Sequence, residues 1–203
     1  VLARIIRNRD VIDNADIDKF LSGTRKDLYA PDLLKDMDKS VAILMDKIAQ
    51  KKHIRIIGDY DIDGVCSTYI LFKGLRHCGA IVDTAIPHRM KDGYGLNEHL
   101  IQEAYEAGAD TVLTCDNGIA AFEQVEYANK LGMTVVITDH HEVPYEEADG
   151  VRNYRIPPAA AVIDPKQQDC PYPFPEICGA VVAYKLVLAL VAQMQGVNWQ
   201  QVM

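Results

Sequence analysis

The chain has 203 residues, of which 49% are hydrophobic and 25% are charged, a composition typical of a globular protein with one sizeable core. Its net charge of −8 at neutral pH excludes nucleic-acid binding through bulk positive charge, so such a role would need a local patch, a bound metal or further protein. The longest apolar stretch, residues 177–194, is interrupted by Lys185 and is too short to predict a membrane span.

Hydrophobic periodicity predicts alternating helices and strands along most of the chain. Apolar residues recur every three or four positions before Lys51, whereas "HIRII" is a short β-branched run that ends at Gly58. Asp32 and Asn97 are the predicted N-caps of the helices that follow them. In chain order, the predicted elements are helix 32–50, strand 53–57, helix 65–78, strand 81–86, helix 97–107, strand 110–115, helix 119–131, strand 133–138, loop 140–158, strand 159–163 and helix 177–194.

This alternation predicts an α/β fold, a mainly parallel sheet with helices on both faces in a Rossmann-like arrangement. An N-terminal helical segment, residues 1–52, is expected to pack on the core. The sheet and its helices are then expected to occupy residues 53–203.

Acidic side chains follow four of the five predicted strands directly. Ligands of such folds bind beyond the carboxyl ends of the strands. A single aspartate there is usually a turn residue or a helix cap, but this many carboxylates at one edge repel one another, and bound cations are the usual remedy. The residues concerned are Asp59, Asp61 and Asp63 after the first strand, Asp116 after the third, Asp139, His140 and His141 after the fourth, and Asp164 after the fifth.

The stretch "GDYDIDGV", residues 58–65, fits two kinds of cation site. A calcium loop of the form D-x-D-x-D-G needs a glutamate at its twelfth position and a preceding helix. Ile70 occupies that position and a strand precedes the loop, so the calcium loop is rejected. Carboxylates alone suit magnesium or calcium, and an imidazole from His140 or His141 shifts the preference toward manganese or another transition ion. Shared ligands suit a two-metal centre that hydrolyses a P–O bond.

An ordered set of motifs resembles the DHH phosphoesterases, a family named for the tripeptide at residues 139–141. Within that family the resemblance is to the bacterial exonucleases that degrade single-stranded DNA. The matching segments, in chain order, are "GDYDIDGV", "IPHRMKDGYGLN", "TCDNGI", "VVITDHHEVP" and "AAVIDPKQQDCPYPF".

The resemblance implies a role for each matching residue. Metal ligands are expected at Asp61, Asp63, Asp116 and His140, with Asp59 as a ligand or a close neighbour. His141 is expected to face the scissile phosphate, and Asp139 to hold a histidine by a hydrogen bond, so that His141, Asp116 and Asp139 form the catalytic set. The residues expected to contact substrate are His88, Arg89, Gly93, Tyr94 and Gly95.

The function that the resemblance implies is 5′–3′ exonuclease activity on single-stranded DNA in repair and recombination. The complete enzyme is expected to hold two Mn²⁺ or Mg²⁺ ions and to bind single-stranded nucleic acid, with a helicase or a single-strand binding protein as a further partner. Five cysteines without a C-x-x-C pair indicate reduced thiols and a cytoplasmic location without membrane attachment.

Two features of the family are missing from this sequence. A further metal-binding aspartate after the long helix and a second, DHHA1-type domain with a glycine-rich motif are both absent, so the chain is expected to be a fragment with weak or no activity of its own. The alternatives are a phosphodiesterase of short oligoribonucleotides or cyclic dinucleotides, and a scaffold without catalysis.

Overall fold

The computed structural model describes residues 2–88, 95–148 and 150–194. Two compact units divide the chain, Val1–Ala30 and Pro31–Met203. The helices are α1 (Leu2–Arg7), α2 (Asn14–Ser22), α3 (Met37–Ala49), α4 (Ile62–His77), α5 (Glu98–Glu106), α6 (Phe122–Lys130) and α7 (Gly179–Gln193), and the strands are β1 (His53–Ile57), β2 (Ile81–Ala85), β3 (Thr111–Cys115), β4 (Thr134–Thr138), β5 (Tyr145–Ala148), β6 (Val151–Tyr154) and β7 (Ala161–Ile163).

The first unit consists of α1, α2 and a short 3₁₀ turn at Arg25–Asp27. Thr24 and Asp27 cap that turn reciprocally, because the Thr24 amide donates to the Asp27 carboxylate at 2.8 Å and the Thr24 hydroxyl accepts from the Lys26 amide at 3.3 Å. The predicted packing of the N-terminal helices on the core stays a prediction.

The second unit contains the predicted parallel sheet. Its five strands lie in the order β2-β1-β3-β4-β7, and every neighbouring pair is parallel. The central strands are buried over nearly their whole length, as expected for a parallel sheet covered on both faces. Strand β2 pairs on one side of β1, and β3, the next strand in the chain, pairs on the other side of β1. The connections after β1 and β3 therefore lead to opposite halves of the sheet, and a crevice forms at the carboxyl ends between these two strands.

Helices cover both faces, as the sequence predicts. Alternate strand residues point to opposite sides: Ile56 and Leu113 pack under α3, α4 and α7, whereas Ile57 and Val112 pack under α5 and α6. Each face therefore buries its own apolar cluster. Among the described residues, no helix combines the length and the hydropathy needed to cross a bilayer.

Two predicted elements are wrong. Asp32 does not cap a long helix: it lies in a 3₁₀ turn at Pro31–Leu33, and α3 begins five residues later, after Asp36 in a left-handed conformation with φ 60°. Residues 140–158 are not one continuous loop, because β5 and β6 form an antiparallel hairpin there. All eight hairpin strand residues are exposed, so no buried alternation marks these strands in the sequence.

The division into units also differs from the predicted boundary. Helix α3 belongs to the larger unit, where Met37 and Leu44 pack in the same cluster as Leu186 and Leu190 of α7. The larger compact unit thus begins at Pro31. The predicted domain boundary between residues 52 and 53 stays a prediction.

Candidate metal centre

The carboxyl ends of the three central strands bring the predicted acidic and histidine residues to one edge of the sheet. Strand β1 leads into residues 59–63, β3 into Asp116, and β4 into residues 139–141. These three strands are neighbours in the sheet, so segments far apart in sequence meet beside the crevice.

Five of these residues form two overlapping groups with the spacing of metal ligands. Asp59, Asp61 and Asp116 each offer an oxygen, and the three atoms lie within 4.8 Å of one another. Asp116, His140 and His141 meet the same criterion. Asp116 belongs to both groups, which is the position that a ligand shared by two cations occupies.

The backbone holds Asp116 in a strained conformation. Its φ of 61° is left-handed, which is uncommon for a residue other than glycine and costs on the order of 1 kcal/mol or more. Its amide donates to the carbonyl of Thr138 at 3.1 Å, and the Asn117 side-chain amide donates to the carbonyls of Ile57 and Cys115 at 3.2 and 2.9 Å. These bonds tie the ends of β1, β3 and β4 together around the aspartate.

The Asp116 carboxylate is almost fully buried beside other charges. Its Oδ1 lies 2.9 Å from Nε2 of His140, whose pKa is raised by that hydrogen bond despite burial. Burial raises the pKa of Asp116, the hydrogen bond with His140 opposes the rise, and the nearby charges of Asp63 and Asp61 add to it. The carboxylate therefore lies where additional positive charge would be favourable.

Asp59 gives the clearest indication of a cation site. The residue is completely buried, and neither of its carboxylate oxygens has a well-formed hydrogen bond among the described residues. Burial raises the pKa of Asp59, an effect that the Tyr60 amide opposes and the charge of Asp61 increases. A buried carboxylate without partners costs several kcal/mol unless a proton or a metal compensates it.

The residues present fit a divalent metal ion. Carboxylate oxygens and one or two imidazoles form a donor set suited to Mn²⁺, and the carboxylates alone suit Mg²⁺. The buried oxygens of Asp59 belong to the same cluster as Asp61 and Asp116. A cation there would supply the positive charge that three converging carboxylates lack.

The N-termini of two helices position the other carboxylates of the first motif. Asp61 caps α4, since its Oδ1 accepts from the Gly64 amide at 2.9 Å, a bond that lowers the pKa of Asp61. Asp63 accepts from the amides of Gly179 and Ala180 at 2.7 and 2.8 Å, so the first turn of α7 holds both of its oxygens.

Asp63 consequently lies at the edge of the cluster rather than in either ligand group. Its Oδ2 is 3.4 Å from Nε2 of His140. The predicted metal ligation by Asp63 therefore stays a prediction, and its visible role is to join α7 to the site.

Asp139 orients the two histidines that follow it. Its Oδ2 accepts from the Ile119 amide at 2.9 Å, while its Oδ1 accepts from the His140 amide at 2.8 Å and lies 2.7 Å from Nδ1 of His141. The last contact, opposed by burial, raises the pKa of His141 to about 9. The predicted hydrogen bond from Asp139 to a histidine is thus present, and it makes His141 an imidazolium at neutral pH in the metal-free chain.

Two of the predicted substrate-binding residues are described. His88 is exposed after β2. Gly95 is buried with a φ of +68°, and a Cβ there would lie 3.3 Å from Cβ of Asn117, so a glycine suits this close approach. The other three predicted residues, Arg89, Gly93 and Tyr94, lie outside the described residues.

A cleft of about 410 Å³ opens beside His141. Its size lies within the range of small-ligand sites. Both polar and apolar residues form its wall. The lining includes Gly95, Leu96, Asn117, Ile119, Gln124, Asp139, His141 and Glu142.

Some residues of the site had no recognisable signal in the sequence. The amides of Gly179 and Ala180 reach Asp63 across 116 and 117 positions of the chain, which no local pattern shows. Asp164, by contrast, is the acidic residue that the sequence places after the fifth strand. It is completely buried, one of its oxygens accepts from the Lys166 amide at 2.8 Å, and burial raises the pKa of Asp164 to about 7. Asp164 belongs to neither ligand group.

Comparison with known proteins agrees with the site. A model of the DHH family, N-terminal domain, matches residues 53–202. The chain belongs to the DHH family. This DHH chain is 39% identical over 175 residues to the single-stranded-DNA-specific exonuclease RecJ of Bacillus subtilis (strain 168), covering 86% of the chain and 21% of that protein. It is 32% identical over 200 residues to RecJ of Escherichia coli (strain K12), covering 98% of the chain and 32% of that protein.

Solved structures show the same DHH fold. Exonuclease RecJ bound to manganese superposes with a TM-score of 0.66 at 32% identity, over 81% of this chain and 39% of the other. RecJ of Thermus thermophilus in complex with Mn²⁺ gives a TM-score of 0.65 at 28% identity, over 92% of this chain and 26% of the other. The chain thus spans between about a fifth and a third of the length of the curated relatives.

Proposed function

We propose that this DHH chain carries the metal-binding part of a phosphodiesterase that degrades single-stranded DNA from its 5′ end. The observation that carries the proposal is the pair of ligand groups joined by Asp116, one of which includes the buried Asp59, whose oxygens have no well-formed hydrogen bond among the described residues. The manganese-bound RecJ structure supports the choice of ion, and the curated RecJ relatives support the substrate. Roles in repair and recombination and a cytoplasmic location are part of the same proposal.

The ligands of the proposed centre are Asp59, Asp61, Asp116 and His140, with Asp63 beside them. When bound, divalent ions activate a water molecule for attack on phosphorus and stabilise the negative charge of the leaving oxygen. Two ions are proposed for the complete enzyme, and Asp116, which belongs to both ligand groups, would serve both.

The residues of the chain supply orientation and proton transfer. Asp139 fixes the His141 ring through Nδ1, so the transferable proton is the one on Nε2. As an imidazolium, His141 neutralises charge on the scissile phosphate and donates that proton to the leaving oxygen. The apolar wall of the adjacent cleft, which includes Leu96 and Ile119, keeps bulk water away from one side of the reacting group.

The proposal is tested by incubating the chain and Mn²⁺ with single-stranded DNA about 30 nucleotides long that is labelled at its 5′ or its 3′ end. This length exceeds the strand sites of single domains. We expect early release of mononucleotide from the 5′-labelled strand, and loss of this release in Asp116→Ala. Asp38→Ala, an exposed aspartate on α3, serves as the matched control. Early release from the 3′-labelled strand alone would refute the polarity, and cleavage of dinucleotides far faster than of the long strand would favour the short-oligonucleotide alternative.

A further inference from the structure

The outward face of α4 is an exposed strip that begins inside the metal centre. It consists of Ile62, Val65, Cys66, Tyr69, Lys73 and Arg76, here named the α4 track. Their separations of three and four residues place them on one side of the helix. The opposite side, which includes Leu71 and Leu75, is buried in the core.

The first half of the track is unusually apolar for an exposed surface. Ile62 is 83% exposed, Val65 is 45% exposed and Tyr69 is 62% exposed. Single exposed apolar residues need no explanation, but several in contiguous positions on one helix face mark a binding surface.

The second half of the track is basic. Lys73 and Arg76 are exposed, and no aspartate or glutamate occurs from Gly64 to Val82. A chain with a net charge of −8 thus carries a helix of 16 residues whose outward face has cations and, beyond its first turn, no anion. A nucleic-acid surface on an acidic protein has to be a local patch of this kind.

The track is continuous with the metal ligands. Ile62 lies between Asp61 and Asp63, so one end of the track is at the proposed site of phosphodiester cleavage. From Ile62 to Arg76 the helix rises about 1.5 Å per residue, which gives a length of roughly 21 Å. That length accommodates several nucleotides of a single strand.

We propose that a single strand of nucleic acid lies along the α4 track as it leaves the metal centre, an inference that rests on the proposed function. Tyr69 stacks on a base, Ile62 and Val65 form the apolar support for its neighbour, and Lys73 and Arg76 pair with phosphates. An apolar patch alone would also suit a protein partner. The cationic end and the start at the metal ligands favour the strand.

The test measures binding apart from cleavage. The wild-type chain and its variants are titrated, in Mn²⁺ and low salt, into a fluorescent phosphorothioate oligothymidylate of about twelve residues, a length within the range of single-strand sites. We expect Tyr69→Ala to weaken binding by about tenfold and Tyr69→Phe to bind within about twofold of wild type, because phenylalanine keeps the stacking surface. The double variant Lys73→Glu/Arg76→Glu should bind more weakly, and the slope of its log affinity against log salt concentration should fall by about 2, which corresponds to the loss of two phosphate contacts.

The control variants are Tyr105→Ala and Lys130→Glu, exposed residues near the C-terminal ends of α5 and α6. Helices α5 and α6 cover the face of the sheet opposite the one that α4 covers, so both controls should bind as the wild type does. Equal loss in the controls and the Tyr69 variant, or no loss in any variant, overturns the inference. A dimer that Tyr69→Ala dissociates in sedimentation, without weaker oligonucleotide binding, assigns the face to a protein contact and also overturns it.

Failure of the proposed function is recognised separately. Manganese-dependent release of mononucleotide from the 5′-labelled strand of about 30 nucleotides by the wild type is measured in parallel. If the wild type releases it but every variant binds the oligonucleotide equally well, the track is refuted and the proposed function stands. If the wild type cleaves nothing, the proposed function fails, while the binding series still decides the track.

Discussion

Replacing Gly179 by alanine tests how tightly α7 is fitted against the metal centre. A Cβ at this position would lie 2.7 Å from Oδ1 of Asp116 and 3.1 Å from both its Cβ and its Cγ. Ordinary contact begins near 3.4 Å, so one side has to move by about 0.7 Å. Asp116 is buried and bonded to His140, and Gly179 donates its amide to Asp63, so either movement breaks a contact within the centre.

The expected effect is larger on metal affinity than on folding. Metal sites tolerate displacements of about 0.2 Å, and disturbing the partners of a ligand costs about 10- to 100-fold in metal affinity. We therefore expect Gly179→Ala to weaken Mn²⁺ binding by at least about tenfold, measured by calorimetric titration. Overpacking of this kind also destabilises the fold by about 1–3 kcal/mol, which a urea titration of the metal-free chain measures.

Gly74→Ala is the matched control, since it adds the same methyl group between α4 and α7 far from the carboxylates. Its Cβ would lie 2.4 Å from Cγ2 of Val187. We expect a similar loss of stability with Mn²⁺ affinity unchanged. If Gly179→Ala binds Mn²⁺ within twofold of the wild type, or if Gly74→Ala weakens binding as much, the reasoning about α7 is wrong.

Three further predictions concern charge and metal. Asp139→Asn keeps the side-chain shape but removes the anion, so the pKa of His141 should fall from about 9 toward its ordinary value, as NMR titration of the ring protons would show; an unchanged pKa would exclude Asp139 as the cause. Folding raises the pKa of His141 to about 9 and that of Asp164 to about 7, so the folded chain binds more protons than the unfolded chain. The metal-free protein should therefore lose stability as the pH rises from about 4 to about 9. Urea midpoints measured across this pH range test whether stability falls. Asp164→Asn should make the midpoint nearly independent of pH below about pH 7, and a wild-type midpoint that rises with pH contradicts the raised pKa values. Mn²⁺ at about 100 times its Kd should stabilise the fold by about 2.7 kcal/mol, a shift in thermal midpoint that Asp116→Ala abolishes and Asp38→Ala retains.

Much of the fold and of the site follows from local sequence patterns. Alternating periodicities predict a parallel sheet, and in such a sheet the carboxyl ends of neighbouring strands share one edge. That rule places Asp59, Asp116 and His140 at one edge of the sheet, whereas the strand order that makes them neighbours comes only from the structure. The N-cap at Asn97 is likewise confirmed, because its side chain accepts from the Leu100 amide at 2.9 Å.

What the sequence could not show depends on contacts between distant segments or on exposed backbone pairing. The contact of Gly179 with Asp116 arises only when α7 packs across the end of the sheet, so the sequence around Gly179 does not predict that a glycine is needed there. The hairpin formed by β5 and β6 buries no side chain in its strands, and periodicity cannot reveal a strand without a buried face. The left-handed Asp36 ends one turn and begins α3, which propensity alone places earlier.

The dispersal of the site along the chain has a consequence for synthesis. Its parts emerge in the order Asp59, Asp116, His140 and finally Gly179, whose amide fixes Asp63. Parallel strands pair only after long connections have closed, so such sheets form late and slowly. A nascent chain that still lacks α7 also lacks the two amides that hold the oxygens of Asp63, so this part of the centre forms only after the last helix has left the ribosome.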